Sequence, residues 1–348
     1  MILRSLALLV LTLAVAQPAL AQGATQPGPL KTFKDWVIGC DNLRSCLALG
    51  LSPEEDSSNA YVRVARGGAA ANEPSVVFAV MAEDAPKAAT LALAIDGKPL
   101  PGLAPLTVKV DGSFVTAALS PAEGRSLIAA LRPAKAMTLE MHDGAKPAVT
   151  FNISLSGSTA ALLFMDDIQG RVGGVTALAR SGAAPASAVP ALPAMPSVKA
   201  LKMTELEKAP PLPKGIKRDT DGNCDATDII ATELSSGKTL WAVCSNAAAY
   251  NTVYRMWIVA GGAVAKASFP APDTDDPAEL MNPALSDDES MLNSYAKGRG
   301  IGDCGELSDW AWDGTRFRLV NLVRMDTCRG VMPDDWPTLF RAKLDKAG

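Results

Sequence analysis

The sequence predicts a mainly β protein with minor α, made of two sheet-rich antiparallel domains that an Ala/Pro-rich linker joins. Three observations lead to this prediction. Short apolar runs alternate with polar residues, Asp-Gly pairs separate several of these runs, and residues 181–197 are rich in alanine and proline and carry no charge. Asp-Gly between alternating runs is a strong hairpin signal, and proline stiffens a segment towards an extended conformation.

These observations divide the 348 residues into four segments. They are a signal peptide (1–21), an N-terminal β-rich domain (22–180), the linker (181–199) and a C-terminal β-rich disulfide domain (200–348). Each domain has about 150 to 160 residues, close to the most common domain size.

Residues 1–21 have the pattern of a secretory signal peptide. Arg4 precedes an apolar run over 6–15, and residues 19–21 (Ala-Leu-Ala) form a small-x-small cleavage site. The run is shorter than the about 20 residues that a membrane-spanning helix needs. Cleavage leaves Gln22 first, where a lipoprotein would need cysteine. We therefore expect a periplasmic or secreted protein without a lipid anchor.

The charge balance argues against a nucleic-acid partner. The formal charge is −4, and it becomes −5 without Arg4 (32 basic and 37 acidic residues). Nucleic-acid binding needs a basic footprint. We also expect no transmembrane segment after signal cleavage, since the longest later apolar stretch, 160–165, is closed by Asp166.

The six cysteines are expected to form disulfides within each domain. An even number of cysteines in an exported chain is typical of a disulfide framework. The linker makes bridges between domains unfavourable, so Cys40 pairs with Cys46. Three arrangements remain in the second domain, of which we favour Cys224–Cys244 and Cys304–Cys328. There is no C-x-x-C pair and one histidine, so we predict no metal and no cofactor.

The N-terminal domain is predicted to be strands with one clear helix. Ser120, Pro121 and Glu123 form a capping-box start, and the helix ends before Pro133. A second helical stretch is expected over 158–169. The predicted strands are 61–66, 75–80, 91–95, 106–110, 114–119, 137–141 and 149–155.

The C-terminal domain is predicted to be a further set of strands interrupted by an acidic loop over 270–289. A terminal hairpin turns at Asp313-Gly314, and Trp310 and Trp312 share one face because they are two residues apart. The other predicted strands are 227–234, 239–244, 253–259 and 264–269.

Motifs at both ends resemble one bacterial family. Phe33-Lys34-Asp35-Trp36, followed by Cys40-Asp41-Asn42 and Cys46, is similar to the start of the exported family of domain of unknown function 1176. The run 299–305 (RGIGDCG), then Trp310-x-Trp312-Asp313-Gly314 and 328–330 (CRG), resembles the end of that family. The N-terminal half also resembles the invasion-associated locus B family, although that family's later cysteine pair is absent. Neither resemblance implies a known reaction.

Two patterns that suggest metal or acid–base chemistry are interpreted as structural. Asp219, Asp221 and Asn223 match positions one, three and five of a calcium loop, but Cys224 and Ile230 stand where Gly and Glu are needed. We interpret this segment as a polar turn leading into a disulfide. His142 is interpreted as a strand-end residue, and the acidic runs 273–276 and 287–289 as solvated loops.

The remaining candidate site is a set of four residues, Arg299, Trp310, Trp312 and Arg329. A Cys304–Cys328 bridge brings their segments together, and two guanidinium groups suit a carboxylate or phosphate. The same residues are equally compatible with a buried structural knot. The leading hypothesis is non-enzymatic binding of a partner or envelope component, with no catalytic residue assigned. The alternative is an envelope hydrolase that uses carboxylates of the C-terminal domain.

Overall fold

A computed structural model describes residues 26–346 except 57–58, 83–87, 145–147, 219–221, 226 and 272–277. The signal-peptide prediction, the first two acidic positions of the calcium-like loop and the run 273–276 lie outside these residues. The described part is mainly β with minor α and holds two α-helices, which confirms the predicted fold class. No helix within it is both long and apolar enough to cross a membrane.

The N-terminal half forms two antiparallel sheets and both helices. The first sheet has seven strands in the order β1-β2-β3-β4-β5-β10-β9. The second sheet has the order β12-β11-β6-β7, and β8 also pairs with β6. The elements are β1 Leu30–Phe33, β2 Trp36–Cys40, β3 Cys46–Leu51, β4 Ala60–Arg66, β5 Ser75–Met81, β6 Thr90–Ile95, β7 Lys98–Pro99, β8 Leu106–Thr107, β9 Lys109–Asp111, β10 Phe114–Ala118, α1 Pro121–Leu131, β11 Ala136–His142, β12 Val149–Ser154 and α2 Ser158–Ile168.

The C-terminal half adds two more antiparallel sheets, of order β14-β15-β16-β17-β18 with β19 on β17, and β20-β21-β22-β23-β24. A parallel pair, β13 with β25, is an exception to the predicted antiparallel pattern. The strands are β13 Ser197–Ala200, β14 Thr204–Glu205, β15 Ile229–Leu234, β16 Lys238–Ala247, β17 Thr252–Ala260, β18 Ala263–Lys266, β19 Glu279–Met281, β20 Ala284–Leu285, β21 Leu292–Lys297, β22 Gly305–Trp312, β23 Phe317–Met325, β24 Thr338–Arg341 and β25 Lys343–Lys346. Three single-turn 3₁₀ segments lie at 186–188, 235–237 and 333–335.

Local sequence signals explain several of these elements. At the start of α1, Ser120 Oγ accepts from Glu123 N–H and the Glu123 carboxylate accepts from Ser120 N–H, so the predicted capping box is present. Asp96 and Gly97 both have positive φ in the two-residue turn between β6 and β7. One predicted strand is wrong in detail. Residues 106–110 belong to two strands, because Leu106 pairs with β6 whereas Lys109 pairs with β10 of the other sheet.

The linker is not a free spacer. Gly174 and Ala184 form a parallel β-bridge, and Arg44 Nη2 donates hydrogen bonds to the carbonyls of Pro190 and Ala191. The strand β13 begins at Ser197, within the last three residues of the predicted linker. Val198 is buried beside Ala311 and Val320, which explains why this segment becomes a strand.

A shared apolar core joins the two halves. Val37, Leu49 and Tyr61 of the large N-terminal sheet pack with Val331 and Trp336 of the C-terminal half, and all five are at most 3 % exposed. Ion pairs border this core: Arg63 contacts Asp335 at 2.5 Å and Arg341 contacts Asp41 at 2.5 Å. The halves therefore meet over a buried surface that the sequence did not indicate.

Candidate functional site

The cysteines pair as the sequence analysis expected. Cys40–Cys46, Cys224–Cys244 and Cys304–Cys328 are bonded, with Cα–Cα distances of 4.0, 5.9 and 4.8 Å. The described residues therefore contain three disulfides and no free cysteine. Among those residues there is also no group of three or more His, Cys, Asp or Glu side chains arranged to hold a metal ion.

The four predicted binding residues do not form one open surface. Trp310 and Trp312 are 1 % and 0 % exposed. Their indole N–H groups donate to Ser308 Oγ and Ser235 Oγ at 3.2 and 3.0 Å, so neither is left for a ligand. Strand β22 places both tryptophans in the aromatic core rather than on an open surface.

The two arginines are held by different carboxylates. Arg299 Nε donates to Asp303 at 2.6 Å, whereas Arg329 Nη1 donates to Asp35 at 2.7 Å and to Ser52 O at 3.0 Å. Burial alone would raise the pKa of Asp35, but hydrogen bonds from Ser154 and Arg329 outweigh burial and hold this pKa below its ordinary value. Arg329 thus links the C-terminal half to the N-terminal half through Asp35 and Ser52. Contrary to the expectation from the sequence, the two arginines do not converge on one anion.

A groove in the C-terminal half has the geometry of a binding site. Its volume is about 510 Å³, and small-molecule sites commonly have volumes of about 300 to 1,000 Å³. The turn between β22 and β23, β24 and the start of β13 form its walls, together with residues 26–27 and 270–271. Trp310 lines it, so one predicted residue does lie at this site.

Strand alternation places two arginines at the groove. Arg316 and Arg318 flank Phe317, and because side chains alternate along a strand they point outward while Phe317 is buried. Arg318 is 43 % exposed, and its nearest carboxylate is Asp313 at 4.0 Å. Arg316 has no ion-pair partner in the part of the chain that the structure describes. Both guanidinium groups can therefore meet an anion.

The carboxylate of Asp313 lies near these arginines and is held by hydrogen bonds within the turn. Asp313 Oδ1 accepts hydrogen bonds from Thr315 N–H, Thr315 Oγ1 and Arg316 N–H at 2.6 to 2.9 Å. Burial alone would raise the pKa of Asp313, but these hydrogen bonds outweigh it and hold the pKa below its ordinary value. Asp313 therefore stays ionised and shapes the turn that carries Arg316.

A rigid aromatic cluster lies beneath the groove. Phe269 packs edge-on against Trp310 and tilted against Phe317, with ring centroids 5.5 and 4.6 Å apart. Such pairs contribute about 0.5 to 1.5 kcal/mol beyond area burial. The apolar lining at the surface comes from prolines at 27, 196 and 270 and from Leu319. Among the described residues that line the groove there is no carboxylate and no histidine, and those residues offer N–H donors and apolar surface.

Sequence reasoning identified the terminal hairpin but missed Arg316 and Arg318. The available signal was the alternation T-R-F-R-L-V over 315–320, which predicts two outward arginines around an inward phenylalanine. The groove itself could not be seen, because its walls come from residues separated by up to about 300 positions.

A comparison with protein families matches residues 30–343 to the family described as "Protein of unknown function (DUF1176)". The chain belongs to the DUF1176 family. This DUF1176 protein is 32 % identical over 346 residues to the uncharacterized protein YpfG of Escherichia coli (strain K12), which covers 89 % of this chain and 92 % of YpfG. Among solved structures, the invasion associated protein B of Bartonella henselae matches 41 % of this chain and 99 % of its own, at 18 % identity and a TM-score of 0.30.

Proposed function

We propose that this DUF1176 protein is a non-enzymatic binding protein of the periplasm or extracellular space, and that its groove holds an anionic envelope component. The observation that carries the proposal is the pair Arg316 and Arg318 beside an apolar lining whose described residues include no carboxylate. Guanidinium groups suit carboxylate and phosphate geometry, and the rigid aromatic cluster below fixes the strand that carries them.

The chemistry of the groove favours an acidic glycan as its ligand. The two arginines provide charge-assisted donors, and the proline and leucine side chains provide surface for the apolar faces of sugar rings. Three disulfides in the described residues support folding in an oxidising compartment, where such polymers occur. The buried carboxylate of Asp303 is engaged with Arg299 and the Gly330 N–H, so this side chain does not support the hydrolase alternative.

Binding of polygalacturonate, with neutral dextran as the comparison, tests the proposal. We expect the double variant Arg316→Glu, Arg318→Glu to weaken polygalacturonate binding at least tenfold in isothermal titration calorimetry. The matched control is Arg180→Glu, Lys109→Glu, which makes the same charge change at two exposed positions outside the groove. Equal loss in both variants, or no binding by the wild type, would overturn the proposal. Release of reducing ends in the same incubation would favour the hydrolase.

A further inference from the structure

A second cavity lies in the N-terminal half, away from the groove. It encloses about 200 Å³ between the end of β4, one face of α1 and the segment 175–178. Arg66, Arg125 and Arg132 line it, and Glu73 is the one carboxylate among the lining residues. Ile128, which is 3 % exposed, contributes an apolar part of the lining.

The base of this cavity is a buried, fully bonded polar cluster. Arg66 is 3 % exposed and donates to Asp166 Oδ1 and Gln169 Oε1 at 2.6 Å each and to Thr176 O at 2.9 Å. Asp166 also accepts from the N–H groups of Leu178 and Ala179. The Asp166 carboxylate is therefore saturated by its neighbours and holds Arg66 in place.

A second buried arginine lies directly behind this cluster. Arg171 is 1 % exposed, and its guanidinium donates to Thr176 Oγ1 at 3.0 Å and to the carbonyls of Ala69 and Ala70. These partners are neutral. Burial lowers the pKa of Arg66 and of Arg171, and the charge of Arg66 lowers the pKa of Arg171 further. The positive charge of this region is thus only partly compensated.

The rim of the cavity contributes two more cations. Arg132 directly follows α1 with helical φ and ψ and is seven residues from Arg125, so both lie on the same side of the helix. Arg125 pairs with Glu73 at 3.0 Å. Arg132 donates Nε and Nη2 to Leu178 O, at 3.1 and 2.8 Å, and its Nη1 has no protein partner among the described residues. That Nη1 group is available to a ligand.

The charges around the cavity do not balance. Arg66, Arg125, Arg132 and Arg171 give four positive charges, and Glu73 and Asp166 give two negative charges, which leaves a local charge of +2 in a chain whose net charge is −4. We propose that this cavity binds a small oxyanion, a phosphate or carboxylate group, with Arg132 as the main ligand-contacting residue. The site is independent of the proposed glycan groove.

The volume and donor geometry suit such a group. One water molecule occupies about 30 Å³ in the liquid, and the volume of the cavity is several times larger. It therefore has room for a tetrahedral oxyanion with hydrating water. Arg132 Nη1 offers charge-assisted N–H donors to a phosphate or carboxylate oxygen, while Nε and Nη2 hold the guanidinium group in place through Leu178 O. An anion would offset the excess charge that the neutral partners of Arg171 leave uncompensated.

Titration with inorganic phosphate at constant ionic strength, with chloride as the comparison ion, tests this site. We expect phosphate to raise the melting temperature of the wild type more than chloride does. In calorimetry, Arg132→Gln should weaken phosphate binding at least tenfold. Arg180→Gln is the matched control because Arg180 is exposed and does not line the cavity. Acetate, added separately, tests whether the site prefers a carboxylate to a phosphate. Glucose 6-phosphate tests whether it also accepts a phosphate group that is attached to a larger molecule.

Arg125→Gln serves as a second variant in case Arg132→Gln unfolds, because the Arg125–Glu73 pair is more than half exposed. We expect it to weaken phosphate binding at least threefold while the melting temperature without phosphate changes little. Equal effects of phosphate and chloride on the wild type would overturn the proposal. Unchanged phosphate binding in both variants would overturn it as well, whatever the outcome for the groove.

Discussion

At the scale of single residues, Asp303 shows how a buried carboxylate stabilises this protein. It is 2 % exposed and accepts hydrogen bonds from Arg299 Nε at 2.6 Å and Gly330 N–H at 2.6 Å. Burial alone would raise the pKa of Asp303, but these bonds outweigh burial and hold the pKa below its ordinary value. The folded state therefore favours the ionised form, and it does so beside the Cys304–Cys328 bridge.

We expect Asp303→Asn to lower the free energy of unfolding by about 1.5 to 3 kcal/mol at pH 7, the usual range for hydrogen bonds to a charged group. Because the folded pKa lies below the unfolded value of about 3.9, this contribution is present above about pH 4 and is lost as the pH falls through the folded pKa. Urea unfolding at pH 7 and pH 3 should show the difference between variant and wild type shrinking at the lower pH.

The control for this prediction is Asp326→Asn. Asp326 is 50 % exposed and pairs with Arg324 at 2.6 Å. Surface ion pairs contribute about 0 to 1 kcal/mol, so its effect should stay within that range. If the Asp303 variant lost no more stability than the Asp326 variant, the assigned role of the buried carboxylate would be wrong.

At the scale of secondary structure, the start of α2 depends on a glycine. Gly157 precedes α2 with φ of 100°, in the left-handed region. A Cβ atom there would lie 1.7 Å from Phe33 O, so the backbone of β1 approaches too closely for any side chain. The close approach seats α2 against β1, where Phe164 packs on Phe33 with ring centroids 5.9 Å apart.

We expect Gly157→Ala to lower the free energy of unfolding by at least about 3 kcal/mol, since left-handed backbone strain and a steric clash add together. Gly112→Ala is the control, because Gly112 has φ of 57° but a Cβ there would meet nothing within 4 Å. This variant should lower the free energy of unfolding by only about 1 to 2 kcal/mol, the strain of a side chain in the left-handed conformation. Similar losses in the two variants, measured by chemical denaturation, would contradict the packing argument.

At the scale of the whole molecule, the shared core decides how the halves depend on each other. Trp336 is 3 % exposed and donates its indole N–H to Val331 O at 2.9 Å while it packs against the large N-terminal sheet. Burial of this core opposes separation of the halves. The predicted two-domain organisation leads us to expect that each half folds when expressed alone, at a lower melting temperature than the intact chain.

We expect cleavage at a protease site inserted after Ala194 to leave the two halves associated in size-exclusion chromatography. Trp336→Ala should lower the free energy of unfolding by about 3 to 5 kcal/mol and release the halves after cleavage. Met332→Ala, at a position that is 39 % exposed, is the control, and after cleavage its two halves should stay associated. Separation of the wild-type halves on cleavage would show that the shared core is too weak to hold them.

Features that depend on neighbouring residues could be predicted from the sequence. Ser120 and Glu123 lie three positions apart, which is enough to specify a capping box. The turns at Asp96 and Asp313, the alternating strands and the β-rich class follow from the same short-range rules. The disulfides within each half were predictable because their partners are at most 24 residues apart and no free cysteine competes in the described chain.

The roles of the exposed and buried faces depend on contacts that form only when distant segments pack together. Arg329 binds Asp35 across 294 positions, and neither residue carries a local signal for that partner. Trp310 and Trp312 share a face in any strand, but whether that face meets solvent or Phe269 depends on which sheet covers it. The groove and the arginine-lined cavity arise the same way, because burial and charge balance are set by segments that folding brings together rather than by their order along the chain.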